Sequence, residues 1–231
     1  NNIRIYNLGH SENDSSFIRS IFNKLDPIID LDFEEMSHNN GSQIDIYSLE
    51  YSSSMNDNSV GQAIAQSSKS GSWWDILWKD INGKMNVEEH DQNTLVHEIG
   101  HALGLSHPFE DPFNQLWNSD DTVMSYNIGF DGWSTWYSQE DIKALLKIWG
   151  REDDNGQLTF LKKSTTYKYQ KSTENQYFIN TEIGNENITD INSLKFLDKN
   201  LDVENDIKGV FNQIKAIDDI TGKIYRLYNA S

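Results

Sequence analysis

Residues 97 to 108, HEIGHALGLSHP, hold three of the chain's six histidines and one glutamate within twelve positions. His97 and His101 stand four apart, so on a helix their imidazoles share one face and converge on a point in front of it, which suits two ligands of a small divalent ion. A third ligand must come from beyond the helix. Gly104 permits a sharp backbone turn, and His107, three residues later, can then swing back to complete a three-histidine site. Glu98, beside His97 and one turn from His101, lies next to the ion without needing to bind it. Three neutral ligands leave the ion's charge largely uncompensated and one position open, which favours catalysis over a purely structural role. A zinc ion there lowers the pKa of water from about 16 towards about 7, and a neighbouring carboxylate can take the proton and pass it to a leaving amine. A bare HExxH arises by chance in roughly 3% of chains this long, whereas adding the Gly and the third His reduces this to roughly 0.01%. His10, His38 and His90 have no such company and are read as solvated or locally bonded side chains.

The elements that must position these residues follow from spacing. DQNTLVHEIGHALG is helical, with Leu95, Ile99 and Leu103 on one face, Asp91 or Asn93 as the cap and Gly104 as the stop. YSQEDIKALLKIWG is a second amphipathic helix with Ser138 and Asp141 as a capping pair and Gly150 at its end. Upstream, Phe17, Ile18, Ile21, Phe22 and Leu25 recur at helical spacing after the cap Ser11, with Pro27 beyond. QIDIYSLEY alternates as a strand and is followed by the loop SSSMNDNS. VGQAIAQSSKSGSWWDILWKD reads as two extended runs about a turn, an edge hairpin whose backbone could pair with an extended peptide. The polar REDDNGQ marks the expected boundary between domains at 1–150 and 151–231. After it, TTYKYQ and NQYFIN are extended, and Ile207, Val210, Phe211, Ile214 and Ile217 return to helical spacing.

Net charge is -17, with no cysteine and no run of about 18 apolar residues. Disulfides and thiolate chemistry are therefore excluded, and His, Asp and Glu are left as the strong metal ligands. Residues 1–150 carry nearly all the excess acidity, which makes nucleic acid and anionic membrane surfaces poor partners. We expect a monomer with no membrane span. The start NNIRIYNLGH has neither the basic end nor the apolar core of a signal peptide and no Met, so a processed piece of a longer chain is expected, continuing past Ser231.

HExxHxxGxxH is the metzincin zinc signature, and DTVMSYN, with Met124 seventeen residues after His107, resembles the Met-turn that follows it. Within the metzincins the chain most resembles the serralysins, secreted bacterial zinc endopeptidases, through Pro108 after the third His, MSY at Met124 to Tyr126, and SQEDIKALLKIWG. The resemblance covers most of 1–150. It implies an α/β (α+β) catalytic domain with a mixed twisted sheet and a zinc-bearing helix, followed by a small β-rich C-terminal domain. It implies one catalytic Zn2+ on His97, His101 and His107, Glu98 as general base and then acid, Met124 as an apolar floor beneath the ligands, and Tyr126 as a residue that can ligate resting zinc and stabilise the tetrahedral intermediate. By the same resemblance the strand with Gly61 and Ala63 binds a polypeptide substrate, and NIGFDGWSTWY contributes Phe130, Trp133 or Trp136 to a pocket wall. Localisation would be secreted and extracellular. ITDINSLKFLDKNLDV resembles a final, degenerate turn of a calcium-binding roll without the aspartates and glycines in register for Ca2+.

The expected reaction is endoproteolysis of extended protein substrates, general or confined to one surface protein. The alternative is a secreted binding or adhesion protein that keeps a metzincin shell with little or no proteolysis. The intact Glu98 argues against it, since binding alone gives no reason to keep the base.

Overall fold

The computed structural model describes residues 5–52, 55, 59–80, 89–217 and 224–225. The first residues of NNIRIYNLGH, most of the SSSMNDNS loop and most of the chain after Ile217 lie outside the described residues. The architecture is mixed α+β: small mixed sheets, four α-helices and no closed barrel among the described residues. Two compact units are present, Asn1–Lys24 with Phe33–Ile148 and Leu25–Asp32 with Trp149–Ser231. The crossing at 148/149 lies just ahead of the polar REDDNGQ run. That residues 25–32 belong to the second unit had no signal in the sequence.

In the first unit, β1 (Ile5–Asn7) precedes α1 (Glu12–Leu25), and β2 (Ile44–Ser52), β3 (Gly61–Ser68) and β4 (Gly71–Lys79) complete a sheet of order β1-β2-β4-β3. The β1/β2 and β4/β3 pairs are antiparallel and β2/β4 is parallel. Ser11 caps α1 as its sequence suggests: its backbone N–H donates to Asp14 Oδ2 at 2.7 Å, and its hydroxyl accepts from the Asp14 N–H at 3.2 Å. Strand β3 is an edge, with a neighbour on one side only among the described residues. Val60 O accepts from the Lys79 N–H, so even-numbered residues of β3 exchange ladder bonds with β4 and odd-numbered ones turn their backbone groups to the open edge.

Helix α2 (Glu89–Ala102) packs on β3 and β4, and every residue from Asn93 to Gly100 is buried. It begins before the expected caps. Asp91 and Asn93 are inside the helix, and Asn93 instead donates from Nδ2 to Ser134 O at 2.7 Å, fixing the helix to the chain that follows Met124. Its side chain is buried, so that bond offsets the cost of removing the amide from water. Gly104 ends the helix with φ +98, a left-handed conformation that side-chain-bearing residues rarely adopt.

Helix α3 (Gln139–Trp149) starts on the expected pair, with Ser138 N–H donating to Asp141 Oδ2 at 2.9 Å and Asp141 N–H to Ser138 Oγ at 3.1 Å. The same buried carboxylate accepts the Thr122 hydroxyl and, at 3.0 Å, the Val123 N–H. One capping residue thus also tethers the segment that holds Met124.

The second unit comprises β5 (Gln157–Thr159), β6 (Lys168–Lys171), β7 (Tyr177–Thr181), β8 (Gly184–Asn187), β9 (Ser193–Lys195), β10 (Asn200–Asp202), α4 (Gly209–Ile217) and β11 (Ile224–Tyr225). A π-helical turn, Val203–Lys208, leads into α4, so the apolar period read from Ile207 onward spans two helix types. Strands β9 and β10, from the segment resembling a final roll turn, pair antiparallel, while β5 joins β9 in parallel. The core is aromatic, with Phe160 stacked on Phe196 and both against Tyr167. Arg151 is buried in it, paired with Glu182 at 2.7 Å and Glu186 at 3.2 Å, its guanidinium 4.4 Å from the centre of the Phe160 ring.

Asp141 gives the fold its first test. Asp141→Ala removes an acceptor shared by three buried or half-buried donors, and should lower unfolding free energy by about 2–4 kcal/mol. Urea unfolding should show a lower midpoint with an unchanged slope.

Candidate metal centre

The three histidines meet. His97 and His101 come from successive turns of α2, and His107 returns from the loop that Gly104 opens. His107 Nε2 lies 3.2 Å from His97 Nε2 and 3.2 Å from His101 Nε2. A tetrahedral ion with metal–nitrogen bonds of about 2.0–2.1 Å spaces its ligand nitrogens by about 3.3–3.4 Å, so the donor set matches such a site.

The tautomers are fixed by the backbone. His97 Nδ1 lies 2.8 Å from Val123 O, and His101 Nδ1 lies 2.9 Å from Leu105 O. A carbonyl can only accept, so each ring places its proton on Nδ1 and leaves the Nε2 lone pair free for a cation. Burial holds all three imidazoles below their usual pKa. His97 is lowered to about 3, by burial first and then by the neighbouring His101, against the raising effect of its bond to Val123. For His101 and His107 burial again dominates, with the Glu110 carboxylate pulling the other way. Neutral, ligand-competent imidazoles are therefore the resting form at neutral pH.

Glu98 is buried, and burial pushes its carboxyl up to about 7 while a hydrogen bond from the backbone N–H of Ala63 works to lower it. Ala63 is one of the β3 residues whose backbone faces the open edge, so the carboxylate sits where the edge strand passes the helix. Gly61 makes that passage possible. A Cβ there would lie 2.6 Å from Glu98 Oε1 and 2.6 Å from Thr94 Cγ2, closer than real Cβ atoms come to anything. Gly61 and Ala63, expected to touch substrate, are thus also packing and hydrogen-bonding partners of Glu98, a role that no local sequence signal gave.

Tyr126 is half-exposed, its ring 5.3 Å from that of His97 and 5.1 Å from that of His107. Burial, and then the charge of Glu98, raise its pKa, so the hydroxyl remains a proton donor at neutral pH. Met124 is buried with its Sδ 3.0 Å from where a Cβ on Gly100 would stand, beneath the turn of α2 between the two helical ligands. The remaining aromatic residues diverge. Trp133 packs edge-on against His90 at 5.0 Å, Trp136 lies against Lys24 and Tyr137, and Phe130 is 95% exposed at a loop tip. None has a ring contact with the three histidines among the described residues.

Sequence reasoning passed over Phe109 and Glu110. Both adopt left-handed backbone, φ 52 and 61, directly after His107 and Pro108, and two consecutive non-glycine residues there store strain beside the third ligand. No sequence pattern marks them.

No protein-family model matches this chain, and no curated protein does either. Among the described residues no helix is long and apolar enough to cross a membrane. The geometry alone establishes a three-histidine group able to hold a metal ion.

Two outcomes are expected. The full chain should bind one divalent ion, and His97→Ala should weaken binding by about 100-fold or more, measured by calorimetric titration of the metal-stripped protein. Gly61→Ala should lower unfolding free energy by about 1–3 kcal/mol, because Thr94 and the Glu98 stem must move, as read from its urea midpoint.

Proposed function

We propose that the chain is a secreted zinc endopeptidase of metzincin type, most like the serralysin catalytic domain, that hydrolyses peptide bonds of extended polypeptides. The observation that carries this reading is the convergence of three imidazole Nε2 atoms, with a buried carboxylate at the open edge of a strand. His97, His101 and His107 would hold the zinc. When bound, zinc supplies Lewis acidity, which makes water more acidic near neutral pH and polarises a carbonyl oxygen.

The rest is work for the protein's own groups. Glu98 accepts a proton from the attacking water and hands it to the departing amine nitrogen, and the Ala63 N–H fixes the carboxylate for both transfers. Tyr126, protonated at neutral pH, donates its O–H to the oxygen on which negative charge develops. The outward backbone groups of β3 align an extended chain by adding it as a further strand, which selects for unfolded or looped substrate. Tyr137, whose hydroxyl donates to Val96 O at 2.9 Å, and Asp141 keep α2 and the Met124 segment in place but touch no reacting atom.

The zinc-loaded chain should cleave an unfolded fluorescent protein, lose that activity on chelation and regain it with zinc. Glu98→Gln should reduce kcat/KM by about 1000-fold while retaining one zinc per chain by mass spectrometry. Unimpaired cleavage by that variant would refute the mechanism.

A further inference from the structure

A bare phenyl ring stands beside the metal centre. Phe113 is 64% exposed, yet its ring meets that of Tyr126 edge-on at 5.2 Å, and Tyr126 in turn touches the rings of His97 and His107. The loop that carries it is stapled down. Pro112 O accepts from the Tyr126 N–H at 2.8 Å, and Asn127 Nδ2 donates to Asn114 O at 2.9 Å and to Trp117 O at 2.8 Å. Phe113 therefore sits between two residues bonded to the chain after Met124, and its position is set by the same segment that supplies Tyr126. A ring held in place beside Tyr126 and the histidines offers apolar contact to a ligand at the centre. Phe109, 79% exposed with its ring 6.1 Å from that of Trp117, extends the same loop's apolar character.

The charge of its own loop has one sign. From His107 to Trp117 the chain has no Lys or Arg, and the loop exposes Glu110 and Asp111 next to Phe113. Glu110 is close enough to act on His101 and His107. A loop whose exposed charges are carboxylates favours positively charged ligands and repels acidic ones.

We infer that the centre takes a polypeptide segment with a bulky apolar side chain flanked by lysine or arginine, and that Phe113 is the specificity-determining residue that receives the apolar side chain. This rests on the peptidase reading for its chemistry, but the recognition is testable apart from it. The loop rim lowers the encounter barrier for cationic segments, and the ring of Phe113 adds apolar contact that a small side chain cannot use.

The test uses four otherwise identical peptides, with Phe or Ala beside the central bond and flanks of Lys or of Glu. Cleavage is measured with the zinc-loaded full chain, and binding by fluorescence anisotropy with zinc-loaded Glu98→Gln. The Phe peptide with Lys flanks should lead the other three by about tenfold or more in both readouts, with the flank effect shrinking at about 1 M salt. Phe113→Ala should lower the Phe peptide far more than the Ala peptide while zinc content stays at one per chain, and Phe113→Leu should restore part of the difference. Equal handling of Phe and Ala peptides, or an equal loss on both in Phe113→Ala, would overturn the inference while leaving the peptidase reading intact. Selective binding without any cleavage would support the recognition and sink the peptidase reading. Neither binding nor cleavage would overturn both.

Discussion

Three imidazoles must stay turned toward a common point, and the Nδ1 protons of His97 and His101, committed to backbone carbonyls, keep both Nε2 lone pairs aimed there. Much of the first unit's construction meets the requirement of keeping them there. Helix α2 is enclosed from Asn93 to Gly100, which keeps the His97 ring from water, and the Leu105 carbonyl holds the half-buried His101. The Asp141 carboxylate holds the Val123 amide, and the carbonyl of that same residue orients His97. A cap at the start of one helix thereby determines the aim of a side chain on another, over a separation that no local interaction spans.

The second unit solves a related problem differently. Arg151 is equally buried, but two glutamates, the Thr159 carbonyl and the face of Phe160 surround it, so its charge is answered within the fold. The Arg151 cluster is self-sufficient. The histidine cluster carries no such balancing charge, and its three grouped nitrogens can hold a metal ion.

Much of this was legible in the order of residues. The four-residue spacing of His97 and His101, the turn at Gly104, the cap Ser11, the capping pair Ser138/Asp141 and the alternation of QIDIYSLEY are all local patterns, and each produces the element it suggests. What escaped depends on partners distant in sequence. Asn93 reads as a cap because asparagine prefers caps, yet a carbonyl 41 residues away recruits it into the helix interior. Gly61 looks like any strand glycine until α2 is placed against it. Phe109 and Glu110 adopt backbone angles that their residue types disfavour, so composition points away from the observed conformation. The grouping of residues 25–32 with the second unit is likewise a property of packing, with Ile28 and Ile29 buried and Ile29 bridging to Arg151.

The open edge of β3 has a consequence for how the molecule behaves in a crowd. An unpaired strand offers the same template to another copy of the protein as to any other extended chain, and such edges seed aggregates unless guarded. Here Gln62, Ala65, Ser67 and Ser68 are exposed along the strand, and Lys69 opens the turn that follows. None of these supplies the apolar alternation on which stacked sheets depend. The net charge of -17 adds a long-range repulsion between copies. The acidity of this chain thus does for solubility what covering the edge would do in another fold, and leaves the edge free.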